Sequence, residues 1–292
     1  AQQVQCCITS PPYWRLRDYG HPAQLGLEPT LEMYVANLAM VFQEVRRILK
    51  DNGTVWCNVG DNYASGKALP PGLKPKDLCG TPWRVAFALQ ADGWWLRSEI
   101  IWYKYNPMPE SVTDRPTRAH EQLFLLAKTP KYYYDADAIR EPQSATSIAR
   151  FGARSTERIN PRSSAKERND YRCATGENSL GCHPAGRNRH TVWAITLKPF
   201  PGAHFATFPP LLVRPCLLAG SPQDSLVLDP FGGAGTVALV AIQEQRQSIS
   251  IELNPAYCSL AVQRLETALA QKPSRLAPAP GSVPAPRQER LL

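Results

Sequence analysis

The chain has 292 residues, 43% of them hydrophobic, and a formal net charge of +8. That length supports one large core or one domain carrying an insertion, and the basic balance suits a polyanionic partner such as nucleic acid. No apolar run reaches membrane length and no secretory signal is visible, and the eight cysteines follow no repeating frame, which argues against a disulfide scaffold and for reduced thiols in a cytoplasmic protein.

Val4 to Ile8 is a short apolar run that reads as a buried strand, and Cys6 and Cys7 within it, like Cys57 and Cys258, read as buried structural thiols. Ser10-Pro11-Pro12-Tyr13-Trp14 follows at once. Leu31 to Lys50 repeats apolar residues with a helical period through Val35, Leu38, Phe42, Val45 and Leu49. Asp51-Asn52-Gly53 should stop that helix before a strand over Thr54 to Val59, completing a βαβ unit. Asn58, Gly60, Asp61 and Asn62 then fall at a strand's carboxyl end, where one or two should line a site. Ala64 to Asp77, rich in Gly, Pro and Lys, reads as a flexible loop outside the core. Thr81-Pro82 opens a helix running to Asp92-Gly93, with proline at a first-turn position that needs no N–H. Trp95 to Lys104 and His120 to Lys128 should form an antiparallel pair at one edge of the sheet, joined by a proline-rich loop over Tyr105 to Pro116.

Arg140 to Trp193 is poor in large aliphatics and carries Arg150, Arg154, Arg158, Arg162, Arg168 and Arg172. It reads either as a solvated insertion or as a basic recognition surface. Cys173, Cys182, His183 and His190 match no common zinc spacing, so no metal is expected. Pro215-Cys216 sits in an apolar helical pattern and reads as a core thiol. Ser225 to Leu228 is a second buried strand, leading into Asp229-Pro230-Phe231-Gly232-Gly233-Ala234-Gly235-Thr236, and a further strand over Ser248 to Leu253 carries Glu252 near its end. After Lys272 the chain turns Pro- and Ala-rich without periodicity, which reads as a disordered tail.

The two segments that leave buried strands carry the chemistry. Gly233 and Gly235 remove side chains where backbone must approach a ligand, Thr236 opens an apolar helix, and Glu252 lies where a Rossmann-type unit places a carboxylate for ribose hydroxyls. Read alone, Gly233 to Ala238 does not separate a nicotinamide cofactor from S-adenosylmethionine. The other segment favours the second. An exocyclic amino nitrogen is a poor nucleophile because its lone pair is delocalised into the ring, and hydrogen-bond acceptors can draw it toward tetrahedral geometry. The Ser10 hydroxyl and the Pro11 carbonyl are such acceptors. Pro11 and Pro12 fix the backbone, and Tyr13 offers a ring on which a flipped base can stack. A nicotinamide oxidoreductase leaves Ser10 to Tyr13 unexplained; a non-catalytic DNA-binding protein would retain DNA without altering it.

Together, Ser10 to Tyr13 and Asp229 to Thr236 resemble the motifs of the amino-directed DNA methyltransferases, and their order is that of the family's β class. The segment His204 to Pro209 is similar to that family's additional cofactor motif. The resemblance implies an α/β, Rossmann-like S-adenosylmethionine-dependent fold: a mostly parallel sheet with an antiparallel edge hairpin and an inserted target-recognition region. Residues 1–139 would form the catalytic half, 140–193 the insertion, 194–270 the cofactor half and 271–292 the tail. Ser10, Pro11, Pro12 and Tyr13 would be catalytic. Asp229, Pro230, Phe231, Gly233, Gly235, Thr236, Glu252, Phe205 and Phe208 would hold S-adenosylmethionine. Arg15, Arg17, Lys67 and the six arginines from Arg150 to Arg172 would contact double-stranded DNA, and the loop over Pro107 to Pro116 would approach the target nucleotide. Members of this class often dimerise, so a homodimer is a candidate partner, with the oligomeric state left open by the sequence. Ser10 favours cytosine N4 over adenine N6, since adenine enzymes of the family usually carry Asp or Asn there. The family's Gly-Asp segment before the Ser-Pro-Pro strand has no counterpart here, which implies a sheet one strand short, or a fragment, with an exposed edge.

Overall fold

The computed structural model describes residues 2–65, 69–146, 183, 185–197 and 208–270. Residues 2–135 and 190–270 belong to one compact unit, and those between 136 and 189 to a second, which holds a short 3₁₀ turn over Asp137–Ile139 and an antiparallel bridge between Glu141 and Arg187.

The larger unit is built on β1 (Val4–Thr9), α1 (Leu31–Ile48), β2 (Leu49–Val59), α2 (Thr81–Ala91), β3 (Trp95–Tyr103), β4 (His120–Ala127), β5 (Val192–Ala194), α3 (Pro210–Gly220), β6 (Leu226–Asp229), α4 (Thr236–Gln243), β7 (Gln247–Ser250) and α5 (Pro255–Ala270). The strands form one seven-stranded sheet in the order β5-β3-β4-β2-β1-β6-β7. β4 runs antiparallel to both β2 and β3, and every other pairing is parallel. All six residues of β1 are buried, as befits a central strand covered on both faces.

Strand alternation sorts the core into two sides. Cys7, Val55 and Cys57 share a cluster with Tyr34, Leu38 and Phe42 of α1 and Val85 and Leu89 of α2. Cys6, Thr54 and Trp56 project the other way, where they crowd Gly220 at the end of α3 so closely that a Cβ there would stand 2.7 Å from the Cys6 sulfur. The layers are therefore helix, sheet, helix. Among the described residues no helix is long and apolar enough to cross a membrane.

Four expectations need correction. The first helix ends at Ile48 and passes into β2 without a loop, so Asp51-Asn52-Gly53 lies inside a strand. Gly53 is needed there because a Cβ would meet the Leu49 side chain at 2.5 Å and the Gln5 carbonyl at 2.9 Å. The β3–β4 hairpin is not the sheet edge, because β5 pairs outside β3. The ends of the 64–77 segment are anchored, since Ala64 is buried and its backbone exchanges hydrogen bonds with Asp77 and Lys76. Cys258 is exposed, whereas Cys6, Cys7, Cys57, Cys79 and Cys216 are buried free thiols. The opposite sheet edge is β7, and three of its four residues are exposed.

Candidate active site

The chain leaves β1 toward β2 on one side and leaves β6 toward β7 on the other, although β1 and β6 are parallel neighbours. Diverging connections open a crevice at the carboxyl ends of such strands. A cleft of about 400 Å³ lies there, lined by Ser10 and Pro12 from the first segment, by Pro230 to Ala234 and Thr236 from the second, and by Phe208, Glu252, Tyr19 and Tyr257. Ligand sites are commonly a few hundred Å³, so a nucleoside-sized molecule fits.

A direct bond ties the two segments together. Thr9 Oγ1, the last residue of β1, donates to Asp229 Oδ1 at 2.6 Å, and the Phe231 amide donates to the same oxygen at 3.1 Å. Among the described residues, Asp229 Oδ2 is buried without a partner. Burial pushes this carboxyl up to about 7, with Glu252 adding to the rise and the two hydrogen bonds opposing it. Glu252 lies two residues beyond β7 and braces the Gly-rich turn: its carboxylate accepts from the Gly233 amide at 2.8 Å and the Asn254 amide at 2.9 Å. A carboxylate has about four lone-pair sites, so acceptor capacity remains for a ribose.

The glycines divide their work differently from expectation. Gly233 lines the cleft, but Gly235 does not. Gly235 has φ +71°, and a Cβ there would press to 3.1 Å on Ala261 of α5, so it serves helix packing and a left-handed turn. The Thr236 hydroxyl accepts from Arg264 of α5 at 3.0 Å, and Arg264 also donates to the Ala234 carbonyl at 2.9 Å.

On the other side of the cleft, Tyr34 of α1 donates its hydroxyl proton to the Pro12 carbonyl at 2.8 Å. That occupies Pro12 and leaves the Pro11 carbonyl without a hydrogen-bond partner among the described residues. Tyr13 is half-buried and its hydroxyl is held at three points: 3.2 Å from Ser10 Oγ, 2.5 Å from Asn58 Nδ2 as acceptor, and 2.7 Å from Glu121 Oε2 as donor. Asn58 Nδ2 also donates to Glu121 Oε2 at 2.7 Å, and Lys104 pairs with Glu121 Oε1. Burial works against a charge on Glu121, but the Lys104 ammonium and the hydrogen bonds from Lys104, Tyr13 and Asn58 outweigh it and hold the carboxyl below its ordinary range. Burial, then the Glu121 charge, push the Tyr13 phenol well above its ordinary value, so it remains a donor.

Gly60 supports the ring. A Cβ at that position would stand 2.4 Å from Tyr13 Cε2 and 2.7 Å from Cδ2, so the backbone itself packs directly against the Cδ2–Cε2 side of the tyrosine ring. Gly60→Ala is expected to cost about 1–3 kcal/mol in urea unfolding through overpacking. In a double-mutant cycle the added methyl should cost nothing when Tyr13 is alanine; an equal cost in both backgrounds would remove Tyr13 as the cause.

Other polar residues near β2 are structural. Asp61 accepts from the Gly80 and Thr81 amides at the start of α2, and Asn62 Nδ2 donates to the Trp14 carbonyl. Trp14 is buried, with its indole N–H on the Glu28 carbonyl. Arg15 is exposed, folds over the Trp14 ring at 4.6 Å and donates to the Pro29 carbonyl; Arg17 is half-buried. Met108 in the proline-rich loop is 78% exposed, and Arg115 of that loop stacks 3.7 Å from the Tyr63 ring centre. Lys67, Phe205, Arg150, Arg154, Arg158, Arg162, Arg168 and Arg172, with the tail after residue 270, lie outside the described residues. Sequence reasoning missed Tyr19, Asn254, Tyr257, Arg264, Lys104 and Glu121. Only Glu121 gave a signal, as a charge near the start of a strand that is apolar from Leu123 to Ala127.

A switch-point crevice that joins a Gly-rich turn to a Ser-Pro-Pro-Tyr turn defines a Rossmann-like methyltransferase. The comparisons narrow the class. The family model described as DNA methylase, N6_N4_Mtase, matches residues 4–263, so the chain belongs to the amino-directed DNA methyltransferases. It is 46% identical to the type II methyltransferase M.Cfr9I of Citrobacter freundii, over 90% of this chain and 81% of that protein. It is 45% identical to M.SmaI of Serratia marcescens, over 89% and 83%. Among solved structures it is similar in fold to the PvuII DNA methyltransferase (cytosine-N4-specific), with a TM-score of 0.62 at 18% identity over 92% of this chain and 84% of that one. The M1.HpyAVI–SAM complex has a TM-score of 0.51 at 18% identity, over 90% and 89%.

Proposed function

We propose that this S-adenosylmethionine-dependent DNA methyltransferase methylates the exocyclic amino group of a base turned out of duplex DNA, with cytosine N4 ahead of adenine N6. The observation that carries the reading is the shared cleft: Ser10, an amino-group acceptor, and the Gly-rich turn open into one space. The donor set fits the cofactor. Asp229 offers a buried carboxylate oxygen that lacks a partner among the described residues, suited to a cationic amino acid end, while Phe208, Phe231 and Ile251 give apolar walls for its carbon skeleton. When bound, S-adenosylmethionine supplies an electrophilic methyl group. The chain supplies the rest: Ser10 and the Pro11 carbonyl accept from the amino hydrogens, Tyr13 stacks on the base, and Pro12, fixed by Tyr34, sets their common geometry. Gly233 and Glu252 shape the ribose side.

Residues 140–193, between the catalytic and cofactor segments, read the target sequence in this account, their arginines mixing phosphate contacts with guanine readout. The type II designation of the relatives supports a modification role beside a restriction enzyme. Choice of base rests on Ser10. A hydroxyl is a shorter and weaker acceptor than the carboxylate or amide of adenine enzymes, yet both targets present the same two hydrogens. Digestion of methylated duplex DNA to nucleosides, followed by mass spectrometry, should give N4-methylcytosine. N6-methyladenine as sole product would reassign the base, and absence of any methylated nucleoside would overturn the reading.

A further inference from the structure

We propose that Glu121 is a positioning residue that, through Tyr13, turns the Ser10 proton away from the target base and then takes up, along the same chain, the proton that the amino group sheds. The inference rests on the amino-group reading above. Its basis is a line of oxygens: Ser10 Oγ lies 3.2 Å from Tyr13 Oη, which lies 2.7 Å from Glu121 Oε2.

The directions along that line are fixed from its inner end. Glu121 is held ionised by Lys104 and can only accept, so the single proton of Tyr13 points to it. Toward Ser10, Tyr13 then offers only lone pairs, and Ser10 donates inward. One of the serine's lone pairs faces Asn58 Nδ2, which donates to it at 3.5 Å, and the other is left for an amino N–H. A serine without such a partner could aim its proton at the base and oppose the hydrogens it has to accept. Each bond in a chain of this kind polarises the next. Asn58, whose amide nitrogen donates to Tyr13 and Glu121 and, at 3.5 Å, to Ser10, keeps the three in register.

The same line balances the reaction. The nitrogen lone pair would form the bond to the methyl group as the methyl's bond to the sulfonium sulfur breaks, that electron pair leaving with the neutral thioether. The nitrogen is then cationic and must lose one proton, the N–H electron pair staying on nitrogen. That proton passes to Ser10 Oγ, the serine proton to Tyr13 Oη, and the tyrosine proton to Glu121 Oε2. Both hydroxyls end as they began, the carboxylate becomes a carboxylic acid, and Lys104 keeps its charge. Because the amino lone pair of cytosine or adenine is delocalised into an electron-poor ring, the N-protonated, methylated amino group is a far stronger acid than an ordinary carboxylic acid, so the transfer runs downhill even to a carboxylate that Lys104 makes a weak base. The acid returns its proton to water after product leaves. Charged and titratable groups around Glu121 are Lys104, Tyr13 and His120; burial, then the charges of Arg118 and Lys104, hold His120 below its ordinary value, so it stays neutral at the working pH.

The test uses the full chain, single-turnover methylation of a duplex oligonucleotide, and calorimetry with S-adenosylhomocysteine. E121Q and Y13F should each slow methylation about 100-fold, with S-adenosylhomocysteine affinity kept within about twofold. The double variant should be no slower than the slower single one, since both cut one chain. Formate, as a small carboxylate, should restore a saturable part of the rate to E121A and none to Y13F. Wild-type rates in E121Q, additive losses in the double variant, or a folded E121A that formate does not rescue would each overturn the inference. If the wild-type protein itself forms no methylated base, the amino-group reading fails instead.

Discussion

Ser10→Ala should slow methyl transfer by about 100- to 1,000-fold, the usual cost of losing one hydrogen-bonding partner of a reacting group, while S-adenosylhomocysteine affinity stays within about twofold. The acceptor interaction strengthens only as the amino nitrogen becomes tetrahedral, so its loss falls on the transition state and not on ground-state cofactor binding. The structure sharpens the expectation, because removing Ser10 Oγ leaves Tyr13 held by Asn58 and Glu121, and the stacking ring should not move. Glu252→Ala should do the reverse. Its carboxylate braces Gly233 and Asn254, and the cofactor turn should loosen before the chemistry suffers. Calorimetry beside single-turnover kinetics separates the two. Full activity in Ser10→Ala, or a large loss of cofactor affinity there, would remove Ser10 from the catalytic role.

That division between the variants follows from motifs that were legible in the sequence because each is local. Ser10 to Tyr13 and Asp229 to Thr236 are short runs whose Pro and Gly content dictates backbone, and both emerge where an apolar run predicted a buried strand. α1 and α2 were legible for the same reason, from period and punctuation. What failed was non-local. The passage from α1 into β2 carries no turn at all, and its tolerance for Asp51-Asn52-Gly53 depends on Leu49 and Gln5 being pressed against Gly53. β5 is three residues long and carries no period, so nothing local marks it as the strand outside the hairpin. The hydrogen-bond network around Tyr13 shows the limit most clearly: Glu121 stands 108 positions from Tyr13, and only the register of β2 against β4, which sets Asn58 opposite Leu123 and Val59 opposite Gln122, brings it beside the Ser-Pro-Pro turn. At Gly235 the fold adds a packing reason its motif position did not reveal, since a Cβ there would meet Ala261.

Asp229→Asn should make the protein more stable at pH 8.5 and no more stable at pH 4, while weakening cofactor binding tenfold or more. The carboxyl rises from an ordinary 3.8 to about 7 in the folded chain, chiefly by burial. An acid with a raised folded value binds its proton more tightly folded than unfolded. Between about pH 4 and pH 7 the folded state therefore holds a proton that the unfolded chain has released, and stability falls with rising pH across that window. About three pH units at about 1.4 kcal/mol each sets an upper figure near 4 kcal/mol of destabilisation above pH 7. Asparagine keeps an oxygen for Thr9 Oγ1 and the Phe231 amide and removes the charge, though its amide nitrogen inherits the unpartnered place of Oδ2, which takes back part of the gain. A rise of about 5 °C in the pH 8.5 melting temperature is the expected remainder. A buried carboxylate that costs stability is explained if a ligand cation satisfies it. The ammonium of S-adenosylmethionine or S-adenosylhomocysteine would pull the carboxyl back down, so wild-type affinity should tighten from pH 6 to pH 8 with release of a proton, seen in calorimetry as a dependence on buffer ionisation enthalpy. Asparagine should abolish that pH dependence. An Asp229→Asn protein that binds cofactor as tightly as wild type, or melts lower at pH 8.5, would show that Asp229 serves the fold through Thr9 and not the cofactor.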